Sequence, residues 1–179
     1  MIAVLGCLKT QVGLSIKQDM LSWLHPMYDV IAVDQEVPGA LYEYPAMQLA
    51  FDLSAKLTQP VLYLHTKGAA NNHPVQEHIR QMWRNEFGNR EKLQKYLDLL
   101  TPGPKLSTIL MSPVGKCTWF NAFICNPEAA IILAEYIHPS ESRYDFECIA
   151  RNTEVEVVSP FKPVENAEIF RMVKELKQC

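Results

Sequence analysis

The stretch Val61-Leu62-Tyr63-Leu64-His65-Thr66-Lys67-Gly68 decides how this chain is read. Its four leading residues are apolar without interruption and are entered from Gln59-Pro60. Such a run predicts a strand buried on both faces, because a half-exposed strand would alternate. The polar cluster that follows marks the end of that strand. Upstream, Ile2 to Leu5 is a second apolar run, closed by Gly6. Ile16, Met20, Leu21 and Leu24 then recur at helical spacing over Ser15 to Leu24, until His25-Pro26 stops the pattern. Tyr28 to Val33, closed by Asp34, predicts another strand, and Pro45 opens a helix that runs to Gln59-Pro60. Strand, helix, strand, helix, strand is the pattern of parallel βαβ units. Right-handed crossovers bring the strand ends at Gly6, Asp34 and His65 to one side of a sheet. Ligands of open α/β sheets bind outside those carboxyl ends.

Helices are predicted over Pro74–Phe87, Arg90–Leu100, Pro127–Ile137, Tyr144–Ala150 and Ala167–Lys177. Strands are expected over Leu106–Met111, Thr118–Cys125 and Glu154–Val158, with Thr101-Pro102-Gly103-Pro104 as a turn. No repeat, low-complexity tract or linker interrupts the order. The 179 residues are therefore read as one α/β domain with a mostly parallel central sheet flanked by helices.

Composition narrows the function classes. The chain is 48% apolar and 21% charged, with a net charge of −3 and no basic run, which speaks against a nucleic-acid binder. No apolar stretch reaches the ~18 residues of a membrane span, although peripheral membrane association is compatible. The apolar start of the chain reads as a first strand and not as a signal peptide. The five cysteines form no C-x-x-C pair, which suggests neither a disulfide framework nor a zinc site. A cytoplasmic protein with reduced thiols is expected.

Several residues could carry chemistry. Lys67 could neutralise phosphate charge, Thr66 could donate to a phosphate oxygen, and Gly68 would let a ligand approach the backbone. His65 could serve in acid–base chemistry or as a ligand; an ordinary turn with a satisfied histidine is the plainer alternative. His73 and His78 match no zinc spacing. Trp83 shares a helical face with Ile79 and Met82 and suits a core. Arg84 follows Arg80 by one turn and could form an anion clamp reaching back to the loop, while Arg80 reads as a solvated charge. Asn121, inside Trp119-Phe120-Asn121-Ala122-Phe123, must be paired to backbone or offered to a ligand if buried. Asp145 could cap a helix or act as a base, and Glu147 is the other nearby carboxylate. Ser112 and Cys117 lack a hydrolase context, and neither G-x-G-x-x-G nor a Walker sequence occurs. A phosphotransfer domain would need an acidic cluster where only Asp34 and Glu36 stand.

The His65-Thr66-Lys67-Gly68 segment followed by Met82-Trp83-Arg84 resembles the HTKG…WR signature of bacterial glycosyltransferase-like proteins encoded with polysaccharide genes, including the rhamnan synthesis F group. Trp119 to Phe123 is similar to the Asn-bearing strand of GT-A-type transferases. The resemblance spans about residues 60–150 and implies a GT-A-like domain transferring a sugar from a nucleotide-sugar donor to a saccharide acceptor in polysaccharide or glycolipid synthesis. In that picture Asp34 receives a ribose or base hydrogen bond. His65, Thr66, Lys67, Gly68 and Arg84 face the diphosphate, Asn121 orients a sugar hydroxyl, and Asp145 or Glu147 is the base. Such enzymes usually hold the diphosphate through Mn²⁺ or Mg²⁺ on an Asp-x-Asp sequence. Here His65-Thr66-Lys67 stands in its place, so either fixed cations replace the metal or the chain is a non-catalytic carbohydrate- or partner-binding module on the same fold.

Overall fold

A computed structural model describes residues 1–179 except 37–40, 42, 68, 70–73, 114–115, 166–167, 170, 172, 174 and 176–179. The apolar runs become strands β1 (Ile2–Leu8), β2 (Asp29–Gln35) and β3 (Val61–His65). Helix α1 (Gln11–Leu24) joins the first two, and α2 (Tyr44–Leu57) joins the second to the third. Then come α3 (Pro74–Phe87), α4 (Arg90–Asp98), β4 (Lys105–Thr108), β5 (Phe123–Cys125), α5 (Pro127–Tyr136), α6 (Arg143–Glu147) and β6 (Glu156–Val158). The six strands form one sheet in the order β2-β1-β3-β5-β4-β6. All run the same way except β5, which is antiparallel to both neighbours. The fold is an α/β, Rossmann-like arrangement with helices on both faces.

Strand residues alternate between two cores, as the two-residue period of a strand requires. Ala3, Leu5, Cys7, Leu62 and Leu64 pack against α1 and α3 on one face. Val4, Val61, Tyr63, Phe123 and Cys125 pack against α2 and α5 on the other. Trp83 is buried in the first of these layers.

Capping follows from sequence. Thr10 caps α1 by accepting from Gly13 N (2.9 Å), and its hydroxyl donates to the Ala69 carbonyl (3.0 Å). Asn126 caps α5 through Ala129 N (2.9 Å). Its amide also donates to Leu100 O and Gly103 O, which fastens the turn before β4.

The expected strand over Thr118–Cys125 is shorter, because Phe120 (φ 64°) and Asn121 (φ 56°) are both left-handed and bend Trp119–Asn121 into a 3₁₀ turn. The strand over Leu106–Met111 likewise ends at Thr108, although Met111 still bridges to Thr118. The helix expected over Tyr144–Ala150 is the shorter α6. Of Ala167–Lys177, the described residues Ile169, Arg171, Val173 and Glu175 are helical, and Ile169 and Val173 enter the core. Among the described residues no helix is long and apolar enough to cross a membrane.

The cysteine reading needs correction. Thr118 N donates to Glu147 O (2.7 Å), which brings the residues beside them together, and Cys117 and Cys148 form a disulfide. Their separation of 31 residues carries no motif by which the pairing could be read in advance. Cys7 and Cys125 remain thiols, each pushed up to about 12 chiefly by burial.

The junction of β1 with α1 leaves no room for a side chain at Gly13. A Cβ there would stand 2.0 Å from the Leu8 carbonyl oxygen, a backbone atom that cannot swing away. Gly13→Ala is therefore expected to cost about 2 kcal/mol through overpacking, although alanine is the better helix former. Urea denaturation checks this; an unchanged midpoint would contradict the close approach.

Candidate functional site

The order β2-β1-β3 puts a topological switch between β1 and β3, and the ends of these strands are joined tightly. Thr66 N donates to Gly6 O (2.8 Å), and Leu8 N donates to Thr66 Oγ1 (3.1 Å). The hydroxyl of Thr66 thus fastens two strand ends, and the residue is fully buried. Arg80, on the first half of α3, donates to the Lys67 carbonyl and pairs with Glu77. These contacts fix the loop on which His65 and Lys67 stand.

Because β5 runs antiparallel, its amino-terminal end meets the carboxyl end of β3. Asn121 arrives there through the left-handed turn. Glu43 arrives from the residue before α2, and Glu147 from α6. Glu43 Oε2 lies 2.9 Å from His65 Nδ1 and accepts from Asn121 Nδ2 at 2.5 Å. The His65 ring sits near Tyr63 and Trp83, with centroids 6.3 and 5.6 Å away. Lys67 Nζ stands over the Phe120 ring, 5.2 Å from its centroid. Glu147 Oε1 lies 3.4 Å from Arg143 Nη2.

The electrostatics separate the two carboxylates. Burial pushes Glu43 up, but the charge and hydrogen bond of His65, with Lys67 and Asn121, outweigh it and hold the carboxyl below its ordinary value. Burial also dominates at Glu147, and there Arg143 and Lys67 do not offset it, so this carboxyl is raised. The Lys67 ammonium is lowered by burial against the pull of Glu43 and Glu147. Two buried carboxylates pushed in opposite directions across one lysine is an arrangement that divides acid and base roles. Two buried acceptors, Asn121 Oδ1 and Glu147 Oε2, bond to no described residue.

Placement sorts the expected site residues. His65, Lys67, Asn121 and Glu147 come together. Thr66 adjoins them, with its oxygen used in the strand junction. Gly68 and His73 lie outside the described residues.

Asp34 stands apart. Gly6 pairs with Val33 and His65, whereas Asp34 pairs with Cys7, one residue further and on the opposite face. There it forms an ion pair with Lys17 of α1 (2.7 Å).

Arg84 does not reach back to the loop. Helix α3 descends from the strand ends, so each turn moves away by about 5.4 Å. Arg84 lines a cleft of about 500 Å³ at the far end with Trp23, Gly88 and Lys92, remote from the buried cluster. Arg80, read as a solvated charge, is the buried arginine at the loop.

Asp145 is exposed and accepts from Ser140 Oγ (2.5 Å), on the outer side of α6. Glu43 was not anticipated. Its only signal is a carboxylate just before the Pro45 helix start, which is more often a helix-terminus charge.

Among the described residues no three His, Cys, Asp or Glu side chains converge to hold a metal ion. Glu43 and His65 are committed to one another, and the ammonium beside them suits a cation poorly. No protein-family model, curated protein or solved structure matches this chain.

The opposite shifts give opposite pH dependences. Glu43, lowered in the fold, contributes stability that is present above the ordinary glutamate value of 4.5 and lost as pH falls through the folded value. Glu43→Gln is expected to cost about 3 kcal/mol at pH 7, with the difference shrinking in acid. Glu147, raised in the fold, contributes below 4.5 and loses its contribution as pH rises through the folded value. Glu147→Gln should therefore be the more stable protein at pH 7 and lose that advantage in acid. Melting temperatures across pH 3–8 check both, and parallel curves for the two variants would refute the division.

Proposed function

We propose that the cluster at the end of β3 is the sugar-transfer site of an enzyme that takes a nucleotide-sugar donor and a saccharide acceptor. The observation that carries this reading is Glu147: buried, raised in pKa, near Lys67, and holding an acceptor oxygen that no described residue uses. A base works best when its pKa lies near the working pH, and burial moves Glu147 in that direction. Its Oε2 and Asn121 Oδ1 both need hydrogen donors, which the hydroxyls of a sugar supply.

In the proposed reaction the acceptor hydroxyl oxygen bonds to the anomeric carbon while its proton passes to Glu147. The bond from that carbon to the diphosphate oxygen breaks, and the electron pair leaves with the phosphate. Lys67 stabilises the charge developing there. His65 and Asn121 hold Glu43 ionised, which favours the charged ammonium. Neither Asp34 nor Arg84 stands near enough to share this work. The setting proposed is the cytoplasm, as in bacterial polysaccharide or glycolipid synthesis, with a peripheral place at the membrane compatible. In a reducing cytoplasm the Cys117–Cys148 pair would be present as two thiols.

A second reading has one observation in its favour. Lys67 already interacts with two carboxylates, leaving less positive charge for a diphosphate, as suits a module that binds carbohydrate without transferring it.

A thermal-shift panel of UDP-, GDP-, CDP- and dTDP-sugars, with and without Mn²⁺ or Mg²⁺, tests the donor. At about 100 times its dissociation constant a true donor adds roughly 2.7 kcal/mol of stability. Lys67→Ala should abolish that shift. Glu147→Gln should keep it while slowing transfer by about 10²–10⁴-fold, and the wild-type rate should rise with pH as Glu147 deprotonates. No shift with any donor would refute the transferase reading. Donor binding without transfer or hydrolysis would favour the binding module.

A further inference from the structure

Helix α6 has two sides. Phe146 and Glu147 face inward and are buried, whereas Tyr144 and Asp145 face out. On the outer side a cleft of about 190 Å³ lies between the end of α5 and the turn after α6. Tyr136 and Tyr144, 47% and 52% exposed, line it together with Asp145, Arg151 and Asn152. Asp145 Oδ2 is taken by Ser140, while its other oxygen is bonded by no described residue.

Rings beside a carboxylate, a guanidinium and an amide match a sugar well. The C–H face of a pyranose packs on an aromatic ring, and its hydroxyls satisfy both acceptors and donors around the edge. Arg143 ties the Tyr144 ring to the buried cluster. Arg143 lies over the Tyr144 ring, 5.4 Å from its centroid, and its guanidinium also reaches Glu147. We infer that this cleft is a saccharide subsite that holds an acceptor chain on the outer side of α6, across the helix from Glu147. This rests on the transferase reading for its role, but not for its ligand class, which the cleft's own residues define.

Saturation-transfer NMR with a panel of neutral oligosaccharides, built from glucose, mannose, galactose or rhamnose units, tests it on the whole protein. At least one member should receive saturation from the wild type. The double variant Tyr136→Ala/Tyr144→Ala should bind it about tenfold more weakly, a loss of about 1.4 kcal/mol for the two rings together. Tyr136→Phe/Tyr144→Phe should keep most of the affinity, because stacking needs the ring and not the hydroxyl. Asn152→Ala, a mild surface change, gives an independent loss. Saturation of no panel member, or equal binding by the double alanine variant, overturns the subsite. The donor thermal shift of the double alanine variant should match wild type. Saccharide binding without any donor shift would preserve the subsite while removing the transferase reading.

Discussion

The contact between Glu43 and His65 is the constraint around which the strand ends are organised. A carboxylate removed from water this completely must be held by hydrogen bonds and opposite charge, or it gives up its charge. Three elements meet that demand at once. His65 comes from the end of β3, Asn121 from the turn before β5, and Lys67 adds its field from the loop beyond. Remove the acid and each of these groups loses the reason for its position. Among the described residues Asn121 then has only Met47 Sδ, at 3.2 Å, for its amide, and the left-handed turn at Phe120–Asn121 loses its best bond. Strained backbone of this kind persists where its surroundings over-determine it, and such places are often functional.

Topology supplies what local sequence cannot. A wholly parallel sheet would have put the amino-terminal end of β5, and Asn121 with it, at the far side of the domain. One antiparallel strand reverses that and delivers Asn121 to the carboxyl end of β3. The same segment carries Thr118, whose amide and hydroxyl both bond to the Glu147 carbonyl, and so brings α6 against the cluster. The Cys117–Cys148 bridge lies directly beside this pairing. Glu43, Asn121 and Glu147 are thus set by three separate chain returns, none of which leaves a spacing in the sequence.

This explains what could and could not be read in advance. The first five elements were legible because their signals are local: unbroken apolar runs for β1 and β3, period-3.6 patterning for α1, and a proline at the start of α2. His65 and Lys67 were legible because a strand end is a place, and residues near it share that place. Asp34 is different. It also sits at a strand end, but the two-residue alternation puts it beside Cys7 on the opposite face from His65. That parity was present in the sequence and would have separated them. Arg84 is displaced in a similar way, since a helix leaving the strand ends carries its later turns away from them and keeps an earlier one, with Arg80, closer. Glu43 and the cysteine pair were not legible at all, because their partners lie 22 and 31 residues away with no repeating pattern between.

The division between the two glutamates follows from who pays for their burial. Glu43 is surrounded by donors and a cation, so its charge is built into the fold and cannot be withdrawn without cost. Glu147 is no less buried, yet Arg143, which pairs with it, is half exposed and shares itself with the Tyr144 ring. Water screens such a partner, so it offsets only part of the desolvation. The charge at Glu147 is therefore the adjustable one, and it sits where outside and inside meet: α6 shows the Tyr144 ring and the Asp145 carboxylate to solvent, and this single acid to Lys67. A ligand in the cleft that shifted Arg143 would be linked to the ionisation of Glu147, and the two effects would then be equal in free energy.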